Sequence, residues 1–553
     1  MKTYINDLKR EFAGYNAAAF LADLMAGLTV AAVALPLALA FGVSSGADAA
    51  SGMITAIVAG IVIGLLGGAS YQISGPTGAM AAILIGISAK YGLQGVLTAG
   101  LLTGVILLIM ALLRIGKLVS FIPVPVITGF TSGIAIIIAL GQIDNFFGTT
   151  SQGENAIEKL FSYTRLGFHP NMQAVLFGVL AAAVMLLWPK KLARYLPGSL
   201  MAIVVAVILN FILNPQAATS AVAEVGAIPQ KLMTEQSLLN TGIDLTMLPQ
   251  LITPALSIAA LGMIESLLCG AAAGRMKGEQ LNSTRELVAQ GIGNIVIPLL
   301  GGVPATAAIA RTSVAIKSGG RTRMVSVIHS VTLILSMFLL GGIMSRIPLA
   351  SLAGVLMVTA WRMNEWHAIR ELSQKKLRYS QIQFVVTMLA TVFFDLVVAI
   401  LVGIVAAMLI FVLKSCDLKI AMSDVKHSNE DGSEEVRRDA KVVYLTGPLF
   451  FGTQAQLTHA LESLSEETSG LIFSMRGVPY IDYSAIGELS DIVTQQREKG
   501  VQVLFCGVQP NVKQEMQKAG LVDLVGEQNY LWDAITAIKV LEGIAVTDTP
   551  LNP

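Results

Sequence analysis

The sequence predicts an all-α polytopic membrane domain of about fourteen transmembrane segments, followed by a small cytoplasmic α/β domain. Three observations lead to this fold class. Of the 553 residues, 54% are hydrophobic and only 13% are charged, which is too apolar for a soluble protein of this size. Apolar runs of about 20 residues, the length that spans a bilayer, recur between residues 23 and 414. Beyond residue 437, short strand-like runs alternate with helical patterns.

Charge density rises after Lys414, and a polar stretch at 427–435 marks a domain boundary. The chain is therefore expected to divide into five parts. These are a cytoplasmic N-terminal segment at 1–22, a transmembrane domain at 23–415, a linker at 416–437, an α/β domain at 438–545 and a C-terminal tail at 546–553.

Ten apolar runs are long enough to cross a bilayer unaided, and four shorter or less continuous runs bring the predicted count to fourteen. The ten lie near 23–42, 50–68, 94–113, 121–143, 171–189, 196–214, 250–273, 324–345, 381–397 and 398–414. The other four follow Pro76 and Pro304 and lie near 285–300 and 349–362.

Lysine and arginine concentrate in alternate loops, as they do in loops that face the cytoplasm. The predicted inner loops include Arg114 and Lys117, Lys190 and Lys191, Arg275 and Lys277, Lys317 and Arg321, and Arg370 and Lys375. The segment 215–248, predicted to lie on the opposite side, is much poorer in basic residues. This alternation predicts that both termini and the C-terminal domain lie in the cytoplasm. We expect the membrane to be the cytoplasmic (inner) membrane.

Two nearly identical octets mark corresponding places in the two halves of the membrane domain. The octet at 61–68 differs from the octet at 295–302 only where Gly64 is replaced by Pro298. They end the second and ninth predicted crossings, so the fourteen segments divide into seven plus seven. Because seven is odd, the second half enters the membrane from the opposite face. The sequence therefore predicts an inverted repeat, and interrupted segments at matching places point to a transporter's binding site.

Each octet leads to a proline that opens a further apolar run, Pro76 in the first half and Pro304 in the second. A proline suits the first turn of a helix, so we predict two half-helices that begin near the membrane midplane. The free N–H groups and partial positive charge of such helix starts attract an anion. The candidate residues are Gly75, Pro76, Thr77 and Gly78 on one side and Ala305, Thr306, Ala307, Ala308, Ile309 and Ala310 on the other. Two ordinary helical hairpin turns are the alternative.

Two charged residues within the apolar runs are further candidates. A buried arginine such as Arg311 usually marks a transport pathway or a counter-ion, although snorkelling to the inner interface is the alternative because Lys317 follows closely. Glu265 lies inside the apolar run 258–269 and is predicted to take up and release a coupling proton. A structural ion pair between Glu265 and Arg311, or another cation, is the alternative for this carboxylate.

No pattern indicates an enzyme. Cys269, Cys416 and Cys506 are widely scattered, so they predict neither a disulfide framework nor a thiol metal cluster. The histidines lack a metal-ligand spacing, and no Walker-type sequence is present. We therefore expect no enzymatic activity, cofactor, metal or nucleic-acid partner, and transport driven by ion gradients.

Several short motifs occur together in order along the chain. They are Ala34–Ala40, Ile73–Thr77, Glu265–Leu268, Asn282–Asn294 and Ala310–Thr312. With this set, the chain resembles the sulfate permease (SulP) family of anion transporters. The C-terminal domain resembles the STAS domains attached to them, and Val478–Ala485 is its best match. The resemblance covers nearly the whole chain, and order, spacing and domain pairing agree.

The resemblance implies a core domain that carries the anion between the third and tenth helices, and a gate domain against which the core moves in alternating access. It also implies a homodimer in the lipid bilayer. It places the substrate contacts at Gly75–Gly78 and Ala307–Arg311, and it adds Phe41 as a residue that lines the site from the side.

Differences from family members bear on substrate and coupling. Many eukaryotic members have Gln where this chain has Leu37 and Ser where it has Ala310. Sodium-coupled bicarbonate members have Asp and Thr where it has Glu265 and Cys269, and a thiol is a poor ligand for a hard cation. We therefore expect proton-coupled symport through Glu265 of an oxyanion or carboxylate, such as a dicarboxylate, bicarbonate or sulfate. Sodium-coupled bicarbonate transport and an uncoupled anion channel or facilitator are the alternatives.

The STAS-like domain departs from its phosphorylated relatives at one position. Those relatives have a serine directly after the aspartate, whereas Tyr483 separates Asp482 from Ser484 in this chain. We therefore expect a structural role, or docking of a cytosolic protein partner, in preference to a phosphorylation switch. A receptor that signals through this domain and a nucleobase carrier are more distant alternatives, and the STAS-like domain and Arg311 argue against the carrier.

Overall fold

The structure is a computed structural model of the chain. It describes residues 2–117, 122–153, 156–189, 192, 196–216, 221–226, 231–394, 396–416, 418–428, 434–462, 464 and 468–544. The predicted tail at 546–553, the middle of the polar stretch at 429–433 and the basic residues Lys190 and Lys191 lie outside these ranges. The chain forms two compact units, Met1–Ala406 and Ala407–Pro553.

The membrane domain is built from helices, with two very short strands between them. The helices are α1 (Lys2–Glu11), α2 (Ala17–Ser44), α3 (Ala49–Leu66), α4 (Gly78–Leu112), α5 (Val124–Gly141), α6 (Ile143–Phe147), α7 (Ala156–Leu166), α8 (Met172–Leu187), α9 (Gly198–Leu213), α10 (Leu238–Thr241), α11 (Leu248–Lys277), α12 (Ser283–Leu299), α13 (Ile309–Lys317), α14 (Met324–Met344), α15 (Leu349–Met363), α16 (Trp366–Gln374), α17 (Arg378–Phe393) and α18 (Leu396–Ser415). The strands are β1 (Ser74–Gly75) and β2 (Thr306–Ala307).

A helix lies at each of the fourteen predicted positions, which confirms a mostly helical membrane domain. Helix α4 includes two predicted segments, because Gly92 interrupts it with φ 68° and ψ −174°, a conformation that favours glycine. Within the described ranges, seven helical stretches are long and apolar enough to cross a membrane by length and composition alone. The shorter helices α6, α7 and α16 lie between predicted crossings and were not predicted from hydropathy.

The amphipathic N-terminal helix α1 contacts the ends of three other helices through its side chains. Its Tyr4 hydroxyl donates to the Leu65 carbonyl of α3 at 2.7 Å. Its Asp7 pairs with Arg285 of α12 at 2.6 Å, and its Glu11 pairs at 2.8 Å with Arg323, which caps the start of α14. The pair with Arg323 is largely buried, so these contacts hold α3, α12 and α14 together at the N-terminal face of the domain.

Small residues allow the helices around the two short strands to pack closely. A Cβ atom added at Gly52 of α3 would lie 2.0 Å from the Ala38 carbonyl oxygen of α2, so only glycine permits this backbone approach. Gly104 of α4 touches the backbone of α12 in the same way, because an added Cβ would lie 2.6 Å from the Gly291 carbonyl oxygen. Close packing through small residues is typical of helices in a membrane, where the hydrophobic effect does not drive association.

The second unit contains a five-stranded sheet in the order β3-β4-β5-β6-β7. Its strands are β3 (Lys419–Ser428), β4 (Glu434–Thr446), β5 (Gly470–Gly477), β6 (Gln502–Cys506) and β7 (Tyr530–Leu531). Its helices are α19 (Gln454–Leu461), α20 (Tyr483–Glu498), α21 (Pro510–Lys518), α22 (Leu521–Val525) and α23 (Ala534–Leu541). Strands β4 to β7 are parallel, and β3 pairs antiparallel with β4. The predicted α/β class of this domain is confirmed.

The segment 416–437, which we expected to be a linker, contains β3 and the start of β4. The antiparallel pair of β3 and β4 places β3 at the edge of the sheet, and Lys441 of β4 pairs with Asp424 of β3. Arg437 pairs with Asp439 on the same strand, β4, at 2.7 Å. Hydrogen bonds from Arg437 and Ser469 hold the pKa of the Asp439 carboxyl well below its usual range. Charged side chains are common on edge strands because they oppose pairing with another chain.

Aromatic stacking and a buried thiol mark the core of this sheet. The rings of Phe473 and Phe505 lie 5.2 Å apart, and Tyr530 stacks on Phe505 at 5.3 Å. Cys506 follows on β6 and is 1% exposed. Burial raises the pKa of the Cys506 thiol to about 11, although a hydrogen bond to Ser474 opposes the shift.

We expect the cysteines of the native chain to differ sharply in reactivity. At pH 8 only about one Cys506 thiol in a thousand would be the reactive thiolate, and burial restricts its access further. The half-buried Cys416 should therefore react with N-ethylmaleimide in the folded protein, whereas Cys506 should react only after unfolding or as the pH approaches 11. Peptide mapping by mass spectrometry measures both sites, and equal labelling in the native state would contradict this packing.

Candidate functional site

The two interrupted segments meet as an antiparallel pair of short strands, β1 and β2. We call this strand pair the crossing. Ser74 lies opposite Ala307, and Gly75 lies opposite Thr306. The Ala308 N–H extends the pairing by donating to the Ile73 carbonyl at 2.9 Å. The two segments therefore run in opposite directions at matching places of the two halves, as an inverted repeat predicts.

A helix begins after each strand, but one of them begins later than the sequence predicts. Helix α4 starts at Gly78, directly after Pro76 and Thr77, close to the predicted position. Helix α13 starts at Ile309 rather than in the turn opened by Pro304, so that prediction was wrong. The reason is that Thr306 and Ala307 pair with β1, which holds the intervening backbone extended.

The two helix starts differ in how their N–H groups are satisfied. Thr77 caps α4, and its side-chain oxygen accepts a hydrogen bond from the Met80 N–H at 3.3 Å. Ala308 occupies the equivalent position of α13 and has no side-chain acceptor to offer. The first turn of α13 therefore presents N–H groups that an external acceptor could bind.

Arg311 lies behind the crossing and joins its two sides. The side chain is 1% exposed, so it does not snorkel to an interface. One guanidinium nitrogen, Nη2, donates to the Pro76 carbonyl at 3.1 Å. The other, Nη1, has no hydrogen-bond partner among the described residues, and a Cβ added at Gly75 would lie only 2.3 Å from it. Arg311 thus fastens α13 to the entrance of α4 and places a positive charge beside both helix starts.

Glu265 of α11 approaches the same place from another side. Its Oε2 atom accepts a hydrogen bond from the Thr77 hydroxyl at 3.1 Å, and the side chain is half-buried. No ion pair joins Glu265 to Arg311 in the part of the chain that the structure describes. The carboxylate is therefore linked to the cap residue of α4, one residue before the start of that helix.

Ser266 and Gln72, two polar residues that were not candidates, connect the two strand segments to α11. The Ser266 hydroxyl lies 2.8 Å from the Thr306 hydroxyl and accepts from the Ala307 N–H at 3.3 Å. Gln72 donates to the Ser266 carbonyl at 2.7 Å. The sequence offers one signal for this role, because Ser266 directly follows Glu265 in an otherwise apolar run.

Helix α12 supports the crossing from behind. Asn294 forms two hydrogen bonds with the Ala305 backbone, donating to its carbonyl at 2.9 Å and accepting from its N–H at 2.8 Å. Gln290 donates to the Ser74 hydroxyl at 3.0 Å, and Glu286 accepts from the Gly68 N–H at 2.9 Å. Buried amides and carboxylates thus satisfy irregular backbone that lies away from water.

A cavity of about 430 Å³ opens on one side of the crossing. Phe41 and Gly78 line it, together with one face of α4 and parts of α5, α11 and α17. Its wall is mainly apolar. Gly78 therefore connects the start of α4 with a space large enough for a small anion and its water.

The predicted site residues fall into three groups. Phe41 and Gly78 line the cavity. Gly75, Pro76, Thr77, Ala307, Ala308 and Arg311 are buried in or behind the crossing. Ile309 and Ala310 are exposed on a different surface of α13, and Ile309 has 49% of its surface accessible.

Two family models match the chain. The sulfate permease family matches residues 20–391, and the STAS domain matches residues 433–534. Among curated proteins, YvdB of Bacillus subtilis (strain 168), whose name refers to sulfate transport, is 36% identical over 527 residues, which cover 94% of this chain and 97% of that protein. The bicarbonate transporter BicA of Synechocystis sp. is 28% identical over 538 residues, with 94% and 93% covered.

Two solved structures share the fold. The murine Slc26a9 anion transporter in the inward-facing state superposes with a TM-score of 0.84 at 17% identity, over 98% of this chain and 95% of that one. The transmembrane domain of BicA superposes with a TM-score of 0.64 at 28% identity, over 70% of this chain and 98% of that domain. At its low identity, the first likeness concerns the fold alone.

Replacing Gly75 with alanine should displace Arg311 from the β1–β2 pair and lower anion uptake. The new Cβ would lie 2.3 Å from Arg311 Nη1, so the guanidinium must move and release the Pro76 carbonyl. Because misplacement by about 1 Å can cost roughly 100-fold in the rate of a positioned step, anion uptake into proteoliposomes should fall by roughly tenfold to 100-fold.

Gly342→Ala is the matched control. An added Cβ at Gly342 has no heavy atom within 4 Å, so uptake should be unchanged. Size-exclusion profiles of both variants separate a folding defect from a site defect. Wild-type uptake by Gly75→Ala would contradict the assigned position of Arg311.

Proposed function

Because the chain belongs to the sulfate permease family of anion transporters, we propose that it is a secondary active transporter that works by alternating access. We propose further that it couples anion movement to protons through Glu265. The anion would bind where the starts of α4 and α13 meet, beside Gly78 and the first turn of α13.

The observation that carries the proposal is the antiparallel crossing of β1 and β2, which brings two helix starts together. Helix starts offer unpaired N–H groups and partial positive charge, and Arg311 adds a full charge behind them. Small residues such as Gly78 and Ala308 let an oxyanion approach the backbone. This combination of helix starts, small residues and a positive charge suits an anion.

The position of Glu265 supports proton coupling. Its carboxylate accepts from the Thr77 hydroxyl at 3.1 Å, directly beside the proposed anion site. An ionised Glu265 would repel an arriving anion, and a protonated Glu265 would not. Proton and anion would therefore each favour the binding of the other, which is the reciprocity that a symporter needs.

The residue next to Glu265 on this face argues against a sodium site. The Cys269 thiol donates a hydrogen bond to the Thr312 hydroxyl at 3.5 Å. A thiol is a poor ligand for a hard cation such as sodium. Sodium-coupled bicarbonate transport and uncoupled anion conduction remain the outcomes that the experiment below would reveal.

Sulfate, bicarbonate and dicarboxylates are the proposed substrate classes. Each presents oxygen atoms that backbone N–H groups can bind, and the names of the relatives YvdB and BicA refer to sulfate and bicarbonate. We further propose that the protein is a homodimer of the cytoplasmic membrane. Both termini and the STAS domain would lie in the cytoplasm, where that domain could dock a protein partner.

Glu265→Gln should uncouple transport from the pH gradient. Wild-type protein in proteoliposomes should accumulate one of radiolabelled sulfate, bicarbonate or succinate when the lumen is alkaline. For one proton per anion, the accumulation can reach about tenfold for each unit of pH difference. The variant should equilibrate its anion without accumulation, because its side chain cannot carry a proton.

Glu235→Gln, at an exposed loop position, is the control and should behave as wild type. Accumulation that follows a sodium gradient instead would indicate the sodium-coupled alternative. Equilibration without accumulation by the wild type would indicate an uncoupled conductor. Proton-driven accumulation that survives Glu265→Gln would refute the role of Glu265.

A further inference from the structure

The cavity beside Gly78 leads from the crossing toward the far end of the membrane domain. Helix α4 forms one wall from Gly78 to Ile87, a length of roughly 14 Å. Ser44, at the end of α2, lines the same space. Because α2 begins near α1 and runs for roughly 40 Å, the cavity opens away from the face that α1 occupies.

Lys159 of α7 has the only charged side chain among the described residues that line this cavity. It is half-buried, and its ammonium group has no hydrogen-bond or ion-pair partner within the described ranges. The neighbouring walls are formed by apolar residues such as Ile137 and Phe393, and by neutral polar residues such as Gln142. A positive charge with no paired acidic side chain among the described residues therefore lines an otherwise mainly apolar cavity.

Helix α7 is held firmly in this position. Its Tyr163, one turn beyond Lys159, donates a hydrogen bond to Asp144 of α6 at 2.7 Å. The Tyr163 ring also packs edge-on against Phe168 at 5.4 Å, and Phe168 packs against Phe147 at 5.2 Å. These contacts fix the helix that carries Lys159 against the end of α6.

Asp144, the carboxylate that anchors α7, already accepts hydrogen bonds from other side chains. Asp144 accepts hydrogen bonds from Tyr163, Ser151 and Thr149, and no ion pair joins it to Lys159 in this part of the structure. Three hydroxyl donors thus satisfy Asp144, and the Lys159 charge stays available to the cavity. A structural ion pair does not account for the lysine.

We propose that Lys159 recruits the anion at the mouth of the cavity and raises its local concentration before it reaches Gly78. The inference rests on the proposed anion transport and adds a residue that determines capture from one side of the membrane. In this proposal Lys159 acts on the anion from a distance through its charge, because the wall formed by α4 runs for roughly 14 Å between Gly78 and Ile87. Low-dielectric walls focus the field of such a charge and increase the association rate of ligands of opposite sign.

The effect of the Lys159 charge on the electrostatic potential of the cavity can be measured without a transport assay. Ala82 lines the cavity, so Ala82→Cys places a thiol inside it, while Cys416→Ser removes the half-buried native thiol and leaves Cys269 and Cys506 buried. Modification rates with an anionic and a cationic methanethiosulfonate reagent are then compared in purified full-length protein. Lys159→Gln should lower the ratio of anionic to cationic rates by roughly fivefold at low ionic strength.

Salt and a matched lysine provide the controls. The difference should shrink above about 0.15 M salt, where the Debye length is about 8 Å. Lys90→Gln removes an exposed lysine on α4 that does not line the cavity, so it should leave the ratio unchanged. An unchanged ratio in Lys159→Gln, or an equal change in Lys90→Gln, would overturn the proposal.

Transport kinetics give a second readout and separate the two proposals. With the anion that the proteoliposome panel identifies, Lys159→Gln should raise KM more than it lowers kcat, and Lys159→Arg should restore KM. Absence of all anion uptake by the wild type would refute the proposed function, while the reagent ratio would still decide whether Lys159 sets the cavity potential. Uptake with an unchanged KM and an unchanged ratio would refute the role of Lys159 alone.

Discussion

The centre of the membrane domain depends on the hydrogen bonds between two interrupted stretches of backbone. A bilayer offers no water to unpaired N–H and C=O groups, so a chain that leaves helical conformation inside it must find partners within the protein. Ser74–Gly75 and Thr306–Ala307 pair with each other. Asn294 bonds the Ala305 backbone next to β2, and Ser266 accepts from the Ala307 N–H within it. The position of both half-helices follows from this pairing, because each helix can begin only where its strand ends.

Charge is arranged around that pairing in an orderly way. Arg311 is buried behind the strands and bonded to the Pro76 carbonyl, while Glu265 approaches from α11 and is bonded to Thr77. The two charges thus attach to adjacent residues at the entrance of α4 without forming an ion pair with each other. A direct ion pair would neutralise both groups. In the proposed mechanism, their separation would leave the arginine to attract an anion and the carboxylate to bind a proton.

The two halves of the repeat have diverged in what they contribute. Thr77 caps α4, but Ala308 leaves the start of α13 uncapped. Gly78 faces a cavity, whereas Ile309 is exposed on another surface. The cavity's charged residue, Lys159, comes from a short helix that does not belong to the fourteen apolar runs. The two halves therefore place their helix starts in matching positions, but the side chains at the two starts differ.

Sequence alone determined the membrane class, the positions of fourteen helices and the two interruptions where the candidate site lies. Hydropathy reports these features because bilayer thickness fixes the length of an apolar run, and the repeated octet is a local signal. Only the tertiary structure decided that α13 begins at Ile309, that Ser266 and Asn294 brace the strands, and that β3 occupies the expected linker. It also decided that Lys159 meets the cavity. Each of these features depends on a partner far away in the chain, and no local pattern of residues records which distant backbone group a side chain will reach.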